Sequence, residues 1–285
     1  MSKIILGTVQ FGLNYGINNT GGKPNIEEIH KILDFAKDGG IEILDTADAY
    51  GNASEIIGSY LKKNGSVFRV NTKFKSGNKS LSEQLQVSLS VLNLAQIDTY
   101  FFHSFEDFKR NKSYLTELIA LKESGFIRNI GLSVYDNREL EEATNTKEID
   151  VIQFPFNLFD NIHQRGQLMK VAKSKGKQLQ VRSVFLQGLF FKNEDSLPSR
   201  LSPLKPYLHD IIKLSKDFSV EIEHLALSYA LQQPEIDYVI IGVDNLEQLK
   251  QNIMFALKPL SPEVMKPINQ LIVKETELLY PKNWN

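Results

Sequence analysis

Four polar side chains of the types used in proton transfer stand at matching places in the first third of the chain. Asp45, Lys73 and His103 each end an apolar segment, and Tyr50 follows Asp45 on a short loop bounded by glycine. If the three segments are neighbouring parallel strands, their carboxyl ends share one rim, which is where barrels of this type place their chemistry. The spacing therefore predicts a proton-transfer site at that rim.

The chemistry of these four groups fits the reduction of a carbonyl. A tyrosine is a weak acid with a reference pKa of about 10, and a nearby ammonium such as that of Lys73 stabilises its phenolate form. Asp45 can keep Lys73 charged and fix its direction, while His103 can orient a substrate oxygen toward the Tyr50 hydroxyl. Such a set gives a proton to a carbonyl oxygen as hydride arrives, or removes it in reverse. The sequence has no G-x-S-x-G elbow and no cysteine, which argues against acyl transfer.

Each of these residues also has an ordinary structural use. An aspartate at a strand end caps a helix, a lysine there is solvated, a histidine is a hydrogen-bonded rim residue, and a loop tyrosine packs. Three consecutive segments that end in Asp, Lys and His favour the catalytic interpretation. The other histidines fall in predicted helices or loops and are interpreted as structural, and no H-x-H or H-E-x-x-H spacing indicates a metal site; these histidines are His30, His163, His209 and His224.

The order of apolar and amphipathic segments predicts the fold. Eight apolar strands alternate with helical patterns, which indicates a parallel sheet. Eight such units in 285 residues favour a single α/β domain, a closed (β/α)8 TIM barrel over residues 1–285. The alternative, a doubly wound open sheet, should show a G-x-G-x-x-G turn, and Gly7, Gly12 and Gly16 lack that spacing. The predicted strands cover residues 4–6, 41–45, 68–73, 97–103, 127–133, 151–154, 179–183 and 238–241.

Local signals place the helices between these strands. Asn25 with Glu28 and Ser80 with Glu83 have the spacing of capping boxes. Later helices are predicted at residues 54–61, 114–123, 167–175, 204–216, 222–232 and 245–257, with further helices opening at Asn137 and Pro262. The longest irregular stretch, residues 187–206, is predicted to be a lid or binding loop because long loops in compact domains often have that role.

Composition excludes several classes of function. The net charge of −1 shows no basic excess for nucleic acid or a membrane surface. No apolar stretch approaches the roughly 20 residues of a membrane span, and the N-terminus does not resemble a signal peptide. With no cysteine there is neither disulfide nor thiol chemistry. A cytoplasmic location is the expectation.

Six segments, taken in order, resemble the motifs of the aldo-keto reductase family. They are LGTVQFG at 6–12, DTADAYG at 45–51, NTKF at 71–74, FFH at 101–103, GLS at 131–133 and the segment 240–252. The resemblance runs nearly end to end. It implies a (β/α)8 barrel and NADPH-dependent carbonyl reduction, with Tyr50 as proton donor, Lys73 and Asp45 as the groups that tune it, and His103 as the group that orients the substrate.

The resemblance also assigns residues to the cofactor. Ser133 and Gln153 would hold the nicotinamide carboxamide, since a hydroxyl and an amide both donate and accept hydrogen bonds. The segments after the seventh and eighth strands would hold the pyrophosphate and ribose, in agreement with the phosphate sites of such barrels. The complete set is Gly7, Thr8, Asp45, Ser133, Gln153, Arg182, Ser183, Phe185, Leu186, Gln187, Gly188, Gly242, Val243, Asp244, Gln248, Gln251 and Asn252.

The sequence departs from the family pattern at several positions. Val134 stands where many members have asparagine, and Arg182 stands where an aromatic residue stacks on nicotinamide; a planar guanidinium can also stack. Gly242 and Gln248 occupy the segment in which many members carry Lys and Arg for the 2′-phosphate. NADPH is the expected cofactor, with NADH as the alternative.

The loops expected around the substrate are polar, which favours a sugar-like or polyhydroxylated carbonyl over a steroid or an aromatic aldehyde. Two segments also resemble bacterial family members associated with sugar and surface-polysaccharide pathways. Two other functions stay open at this stage: a cofactor-binding barrel that regulates a partner, and an aldolase that forms a Schiff base on Lys73. The sequence leaves the oligomeric state open.

Overall fold

A computed structural model of the chain describes residues 3–19, 21–75 and 80–284. Eight parallel strands follow one another around a closed barrel, and β1 pairs with β8 to complete the ring. The closed ring confirms the predicted (β/α)8 fold over the open sheet. The strands are β1 Ile4–Gly7, β2 Ile43–Asp45, β3 Arg69–Phe74, β4 Ile97–Phe102, β5 Ile127–Ser133, β6 Val151–Pro155, β7 Gln178–Arg182 and β8 Tyr238–Gly242.

Helices surround the barrel and connect successive strands. They are α1 Val9–Gly12, α2 Ile26–Asp38, α3 Ala53–Asn64, α4 Leu81–Leu92, α5 Phe105–Arg110, α6 Tyr114–Glu123, α7 Asn137–Asn145, α8 Ile162–Ser174, α9 Lys205–Asp217, α10 Ile222–Leu231, α11 Leu246–Ala256 and α12 Pro262–Gln270. The sequence did not predict α1 and α5, which have four and six residues. Elements this short carry too few turns to show a helical apolar period.

Both predicted capping boxes lie at helix starts, but only one of them is complete. At Ser80 the full capping box with Glu83 is present. At Asn25 only half of it forms, because the Asn25 side chain accepts from the Glu28 backbone N–H whereas the Glu28 carboxylate instead accepts from the N–H of Leu246. That contact joins the start of α2 to the start of α11.

One predicted helix start and one predicted irregular stretch differ from the structure. Helix α8 begins at Ile162, five residues before the predicted start, because Asn161 caps it by accepting from the N–H of His163. The stretch expected to be irregular contains three 3-10 segments, Leu186–Phe191, Glu194–Ser196 and Ser199–Leu204. Its hydrophobic side chains, such as Leu189 and Leu201, are buried, so the segment is packed against the barrel.

The main core lies between the strands and the helices, and a smaller cluster lies inside the ring. In α2 the buried face consists of Ile29, Ile32, Leu33 and Ala36, as the helical period predicts. Within the described ranges no helix is long and apolar enough to cross a membrane. The same residues hold no group of three or more His, Asp or Glu side chains arranged to bind a metal ion.

Candidate active site

An ion pair between Asp45 and Lys73 lies at the carboxyl-terminal end of the barrel. Lys73 Nζ is 2.5 Å from Asp45 Oδ2 and also donates to the Thr46 carbonyl at 3.1 Å. Both charged side chains are almost fully buried. Burial by itself lowers the pKa of an ammonium, but the Asp45 carboxylate and Tyr50 together outweigh it, and the pKa of Lys73 lies above its ordinary value. Lys73 is therefore an ammonium at neutral pH.

Tyr50 lies beside this ammonium. Lys73 Nζ is 5.3 Å from the centroid of the Tyr50 ring. The loop between β2 and α3 turns tightly, with a Tyr50 N–H to Ala47 carbonyl bond of 3.0 Å and a φ of 57° at Gly51. A residue with a Cβ is strained at that φ, so glycine suits this position of the loop. The predicted proximity of Tyr50, Lys73 and Asp45 is present.

His103 follows the last residue of β4, close enough to Lys73 for the ammonium charge to act on its ring. Burial first, and then the charges of Lys73 and Lys75, lower its pKa from 6.5 to about 4. The imidazole is therefore neutral at physiological pH. Its Nδ1 is buried and has no hydrogen-bond partner among the described residues. A neutral ring with an unused nitrogen can still contact a ligand oxygen.

Asp45 is fixed from three sides. The backbone N–H and the hydroxyl of Thr8 both donate to the Asp45 carbonyl at 3.0 Å. Gln153 Nε2 donates to the second carboxylate oxygen, Oδ1, at 2.9 Å. Thr8, which the family resemblance assigned to the cofactor, thus holds the end of β2 against β1 with the hydroxyl already engaged.

Two hydrogen bonds cross the interior of the ring. Gln153 on β6 reaches Asp45 on β2, and Asn71 on β3 donates to Gln180 on β7 at 3.2 Å. In an eight-membered ring with this strand order, β2 and β6 lie opposite each other, as do β3 and β7. The sequence analysis did not identify Asn71 or Gln180, although both are polar residues inside predicted buried strands, which was the available signal.

The residues present fit the carboxamide end of a nicotinamide cofactor. Ser133 on β5 is in register with Gln153 on β6, so the two predicted contacts are neighbours. Gln153 Oε1 is buried without a partner among the described residues. A buried amide oxygen that accepts nothing is costly, and a carboxamide N–H is a suitable donor for it.

The loop after β7 has a strained backbone. Ser183, Leu186 and Gln187 have φ values of 60°, 46° and 53°, and Gly188 has a φ of 88°. Non-glycine residues in this region each cost about 1–3 kcal/mol and concentrate at functional sites. Consecutive left-handed residues can turn backbone N–H groups toward one anion, which fits a pyrophosphate.

The first turn of α11 is closed by the chain's own acceptors. The N–H of Asp244 donates to Gln248 Oε1 at 2.7 Å, that of Leu246 to Glu28 at 2.8 Å, and that of Gln248 to Asn245 Oδ1 at 2.9 Å. The Asp244 carboxylate also accepts from Asn19 Nδ2 at 3.0 Å. Burial raises the pKa of Asp244.

The remaining predicted cofactor residues lie on several elements and have different surroundings. Gly7 and Gly242 lie side by side at the ends of β1 and β8, and a Cβ on Gly242 would meet the Gln10 amide at 2.4 Å. Asn252 is buried on α11. The Gln251 amide, on the same helix, donates to Glu221 at the start of α10 at 2.9 Å. Phe185 packs on Phe191, and Val243 is buried.

Arg182 stacks on an aromatic ring that the sequence analysis did not single out. Its guanidinium carbon lies 4.3 Å from the centroid of Tyr135, and Lys282 Nζ lies 4.2 Å from the same centroid. Tyr280 packs edge-on against that ring. Tyr135 follows the predicted fifth strand by two residues, so its place at a strand end was a signal. Nothing in the sequence pairs Lys282 with it.

A buried ammonium between a carboxylate and a tyrosine, with a neutral histidine nearby, is an arrangement for moving a proton to or from an oxygen. Its place at the carboxyl ends of β2, β3 and β4 is the catalytic face of (β/α)8 barrels. The fold and the site together define a barrel of the oxidoreductase type.

The chain belongs to the Aldo/keto reductase family, whose model matches residues 3–273. An aldo-keto reductase from Bacillus subtilis is 26% identical, covering 95% of this chain and 90% of the relative. An NADH-specific methylglyoxal reductase from Escherichia coli is 27% identical, covering 89% of this chain and 93% of the relative. Membership implies carbonyl reduction that depends on a nicotinamide cofactor.

Solved structures agree on the fold. The holo form of an aldo-keto reductase from Bacillus halodurans superposes with a TM-score of 0.74 at 20% identity, covering 96% of this chain and 95% of that one. A glycerol dehydrogenase from Gluconobacter oxydans superposes with a TM-score of 0.72 at 19% identity. At these identities the likeness concerns the barrel itself.

Proposed function

We propose that the protein reduces an aldehyde or ketone to an alcohol and that Tyr50 delivers the proton to the carbonyl oxygen. The observation that carries this proposal is the buried Lys73 ammonium, held 2.5 Å from Asp45 and 5.3 Å from the Tyr50 ring centroid. An ammonium in this position stabilises the negative charge that the phenol oxygen gains as it gives up its proton.

The other residues have separable roles in the proposal. Asp45 keeps Lys73 charged and in place. His103 is neutral, so its ring N–H can donate to the substrate oxygen without competing with Tyr50 as an acid. Gln153 holds Asp45 through its Nε2 and keeps its Oε1 for a ligand. When bound, the reduced cofactor supplies the hydride.

The proposed cofactor contacts lie at the carboxyl ends of the later strands. Ser133 and Gln153 would hold the carboxamide, and the loop of residues 183–188 would hold the pyrophosphate. The sequence predicts NADPH with NADH as the alternative. No Lys or Arg occurs between residues 236 and 249, and the Asp244 carboxylate lies at the start of α11, so the adenosine end favours NADH.

For the substrate we propose a small sugar-like or polyhydroxylated carbonyl. The loop after β1 carries Gln10, Asn14 and Tyr15, and Tyr15 accepts a hydrogen bond from Gln187 of the β7 loop at 3.0 Å. These polar groups suit hydroxyl-bearing ligands. The similarity to a methylglyoxal reductase supports a small carbonyl.

The Schiff-base alternative is disfavoured by the state of Lys73. A lysine nucleophile must lose its proton, which enzymes promote by an apolar pocket or a neighbouring cation. Lys73 instead contacts a carboxylate, and its pKa is raised. Trapping with borohydride should therefore leave no substrate attached to Lys73.

The test is cofactor oxidation by the purified protein. NADH and NADPH are each mixed with a panel of sugar, nucleotide-sugar and aromatic carbonyls, and turnover is followed at the nicotinamide absorbance. Tyr50→Phe should lower kcat at least about 100-fold, since general acid catalysis contributes about 10²–10⁴, with cofactor affinity retained.

Tyr238→Phe is the matched control, because Tyr238 starts β8 and lies at the opposite end of the barrel. Full activity of Tyr50→Phe would refute the proposal that the Tyr50 hydroxyl delivers the proton. Cofactor binding without turnover of any carbonyl would favour the regulatory alternative, and activity confined to aromatic carbonyls would remove the sugar-like assignment.

A further inference from the structure

Two cations contact one aromatic ring at the mouth of the barrel. Tyr135 follows β5, and its ring centroid lies 4.3 Å from the Arg182 guanidinium carbon and 4.2 Å from Lys282 Nζ. Arg182 comes from the end of β7, and Lys282 comes from the C-terminal segment Pro281–Asn283. Three separate parts of the chain thus bring two positive charges close together.

Neither cation is neutralised by the part of the chain that the structure describes. Neither Arg182 nor Lys282 forms an ion pair within 4.0 Å among residues 3–19, 21–75 and 80–284. Arg182 has only a 3.3 Å contact with the Val134 carbonyl and a 3.4 Å contact with the Ser183 hydroxyl. Asp160 is near enough to feel the charge of Arg182, but both of its oxygens are occupied by Arg165 at 2.7 and 2.6 Å.

The positive charge extends toward the proposed proton donor. The charge of Arg182 acts on both Lys73 and His103, and that of Lys75 acts on His103. The carboxylates near this rim have partners of their own: Asp45 is paired with Lys73, and Asp107, which acts on His103, accepts from the Ser104 hydroxyl. Asp136 accepts from the Glu139 N–H, and Glu139 accepts from the Tyr135 N–H. A ligand whose carbonyl reaches Tyr50 therefore meets a cationic rim.

We propose that Tyr135, Arg182 and Lys282 form an anion subsite that selects carbonyl substrates carrying a phosphate group. A guanidinium offers a planar fork of donors and an ammonium offers a point charge, and both bind phosphate oxygens well. A phosphate dianion matches two cations better than a carboxylate does. Like charges that share a ring repel each other, and a bound phosphate removes that repulsion. The subsite rests on the proposed reductase function and names the class of its substrate.

Binding can be measured without turnover. Trp284 is the one tryptophan of the chain; it lies two residues after Lys282, and its ring N–H donates to the Leu278 carbonyl at 2.8 Å. Its fluorescence should change on titration with glycerol 3-phosphate and much less with glycerol or glycerate at equal ionic strength. A carboxylate that binds as tightly as the phosphate would overturn the assignment to phosphate.

Variants of Lys282 test whether the C-terminal segment contributes to the anion subsite. Lys282→Gln should weaken glycerol 3-phosphate binding at least five-fold, and Lys282→Arg should restore most of it. Lys258→Gln makes the same change in charge just beyond the end of α11, at the opposite end of the barrel, and should leave binding unchanged. Equal loss in Lys258→Gln, or none in Lys282→Gln, would overturn the subsite.

Kinetics separate this inference from the proposed function. With glyceraldehyde 3-phosphate the KM should be at least ten-fold lower than with glyceraldehyde, and Lys282→Gln should narrow that ratio mainly through KM. Equal KM values for the two aldehydes would refute the subsite while reductase activity stands. Turnover of neither aldehyde, with fluorescence changes intact, would count against the reductase proposal alone.

Discussion

Gly12 in α1 packs its Cα directly against the backbone of Tyr50, so that a Cβ built on Gly12 would lie 1.7 Å from the Tyr50 carbonyl oxygen. The atom it would meet belongs to a backbone that is itself bonded to the Ala53 N–H at 3.1 Å. The start of α3 and the loop carrying the proposed proton donor are therefore positioned by a close approach of two backbones.

Gly12→Ala should displace the Tyr50 loop. Overpacking of this kind costs about 1–3 kcal/mol of unfolding free energy, and turnover should fall at least ten-fold because the phenol moves relative to Lys73 and His103. Thermal denaturation and kcat measure the two effects. Gly21→Ala is the control, because nothing lies within 4 Å of a Cβ at Gly21; equal behaviour of the two variants would contradict the packing argument.

Removing one partner of the buried Asp45–Lys73 pair should destabilise the fold. Lys73→Met leaves a buried carboxylate without its cation, which costs about 3–5 kcal/mol, whereas adding Asp45→Asn to it should recover part of that loss. Urea denaturation measures both. In the exposed pair Lys112–Glu142, Lys112→Ala should cost less than about 1 kcal/mol. A double variant no more stable than Lys73→Met would show that the charges are not coupled.

Protonation of His103 should make stability depend on pH. Its folded pKa is lowered to about 4 from the ordinary 6.5, so below 6.5 the unfolded chain binds a proton that the folded chain does not bind until about pH 4. The free energy of unfolding should therefore fall as pH falls through this window, by about 1.4 kcal/mol per unit of pKa difference at most. Urea denaturation at pH 7 and 4.5 measures the fall.

His103→Asn should reduce that pH dependence, whereas the exposed His163→Gln should not. If His103→Asn lost as much unfolding free energy between pH 7 and 4.5 as the unaltered chain, the titrating group would be another residue.

The preference for NADH over NADPH should depend on Asp244. A 2′-phosphate near this carboxylate meets a like charge and a helix start whose N–H groups at Leu246 and Gln248 are already bonded. We expect NADH to bind more tightly than NADPH, and Asp244→Ser to raise NADPH affinity several-fold with little effect on NADH. Fluorescence titration with each dinucleotide checks this, and tighter binding of NADPH to the unaltered chain would contradict it.

Much of the fold could be predicted from local sequence because each strand is a short apolar run and most helices carry a clear apolar face. The strand ends at Asp45 and Lys73 indicated the candidate site, since polar residues after buried strands share one rim. Contacts made by long side chains across the molecule could not be predicted. Glu28 reaches Leu246 and Lys282 reaches Tyr135 across 218 and 147 residues of chain, and the Glu28 bond of 2.8 Å depends on packing that no local pattern records.

Thr8 shows a second limit. Its place in a family motif predicts a ligand contact, and in the structure its hydroxyl also donates to the Asp45 carbonyl. A residue of a motif can hold the local shape of the chain as well as contact a ligand, and the sequence does not distinguish the two uses.

The hydrogen bonds that cross the ring, Gln153 to Asp45 and Asn71 to Gln180, each link a strand of the first half of the barrel to one of the second. Neither half alone can satisfy these polar groups with each other: the first half carries Asp45, Tyr50, Lys73 and His103, whereas Gln153, which holds Asp45, comes from the second. Fragments containing β1–β4 and β5–β8 should thus be inactive separately and recover turnover only on reassociation. Activity would then show that the ring of strands has closed.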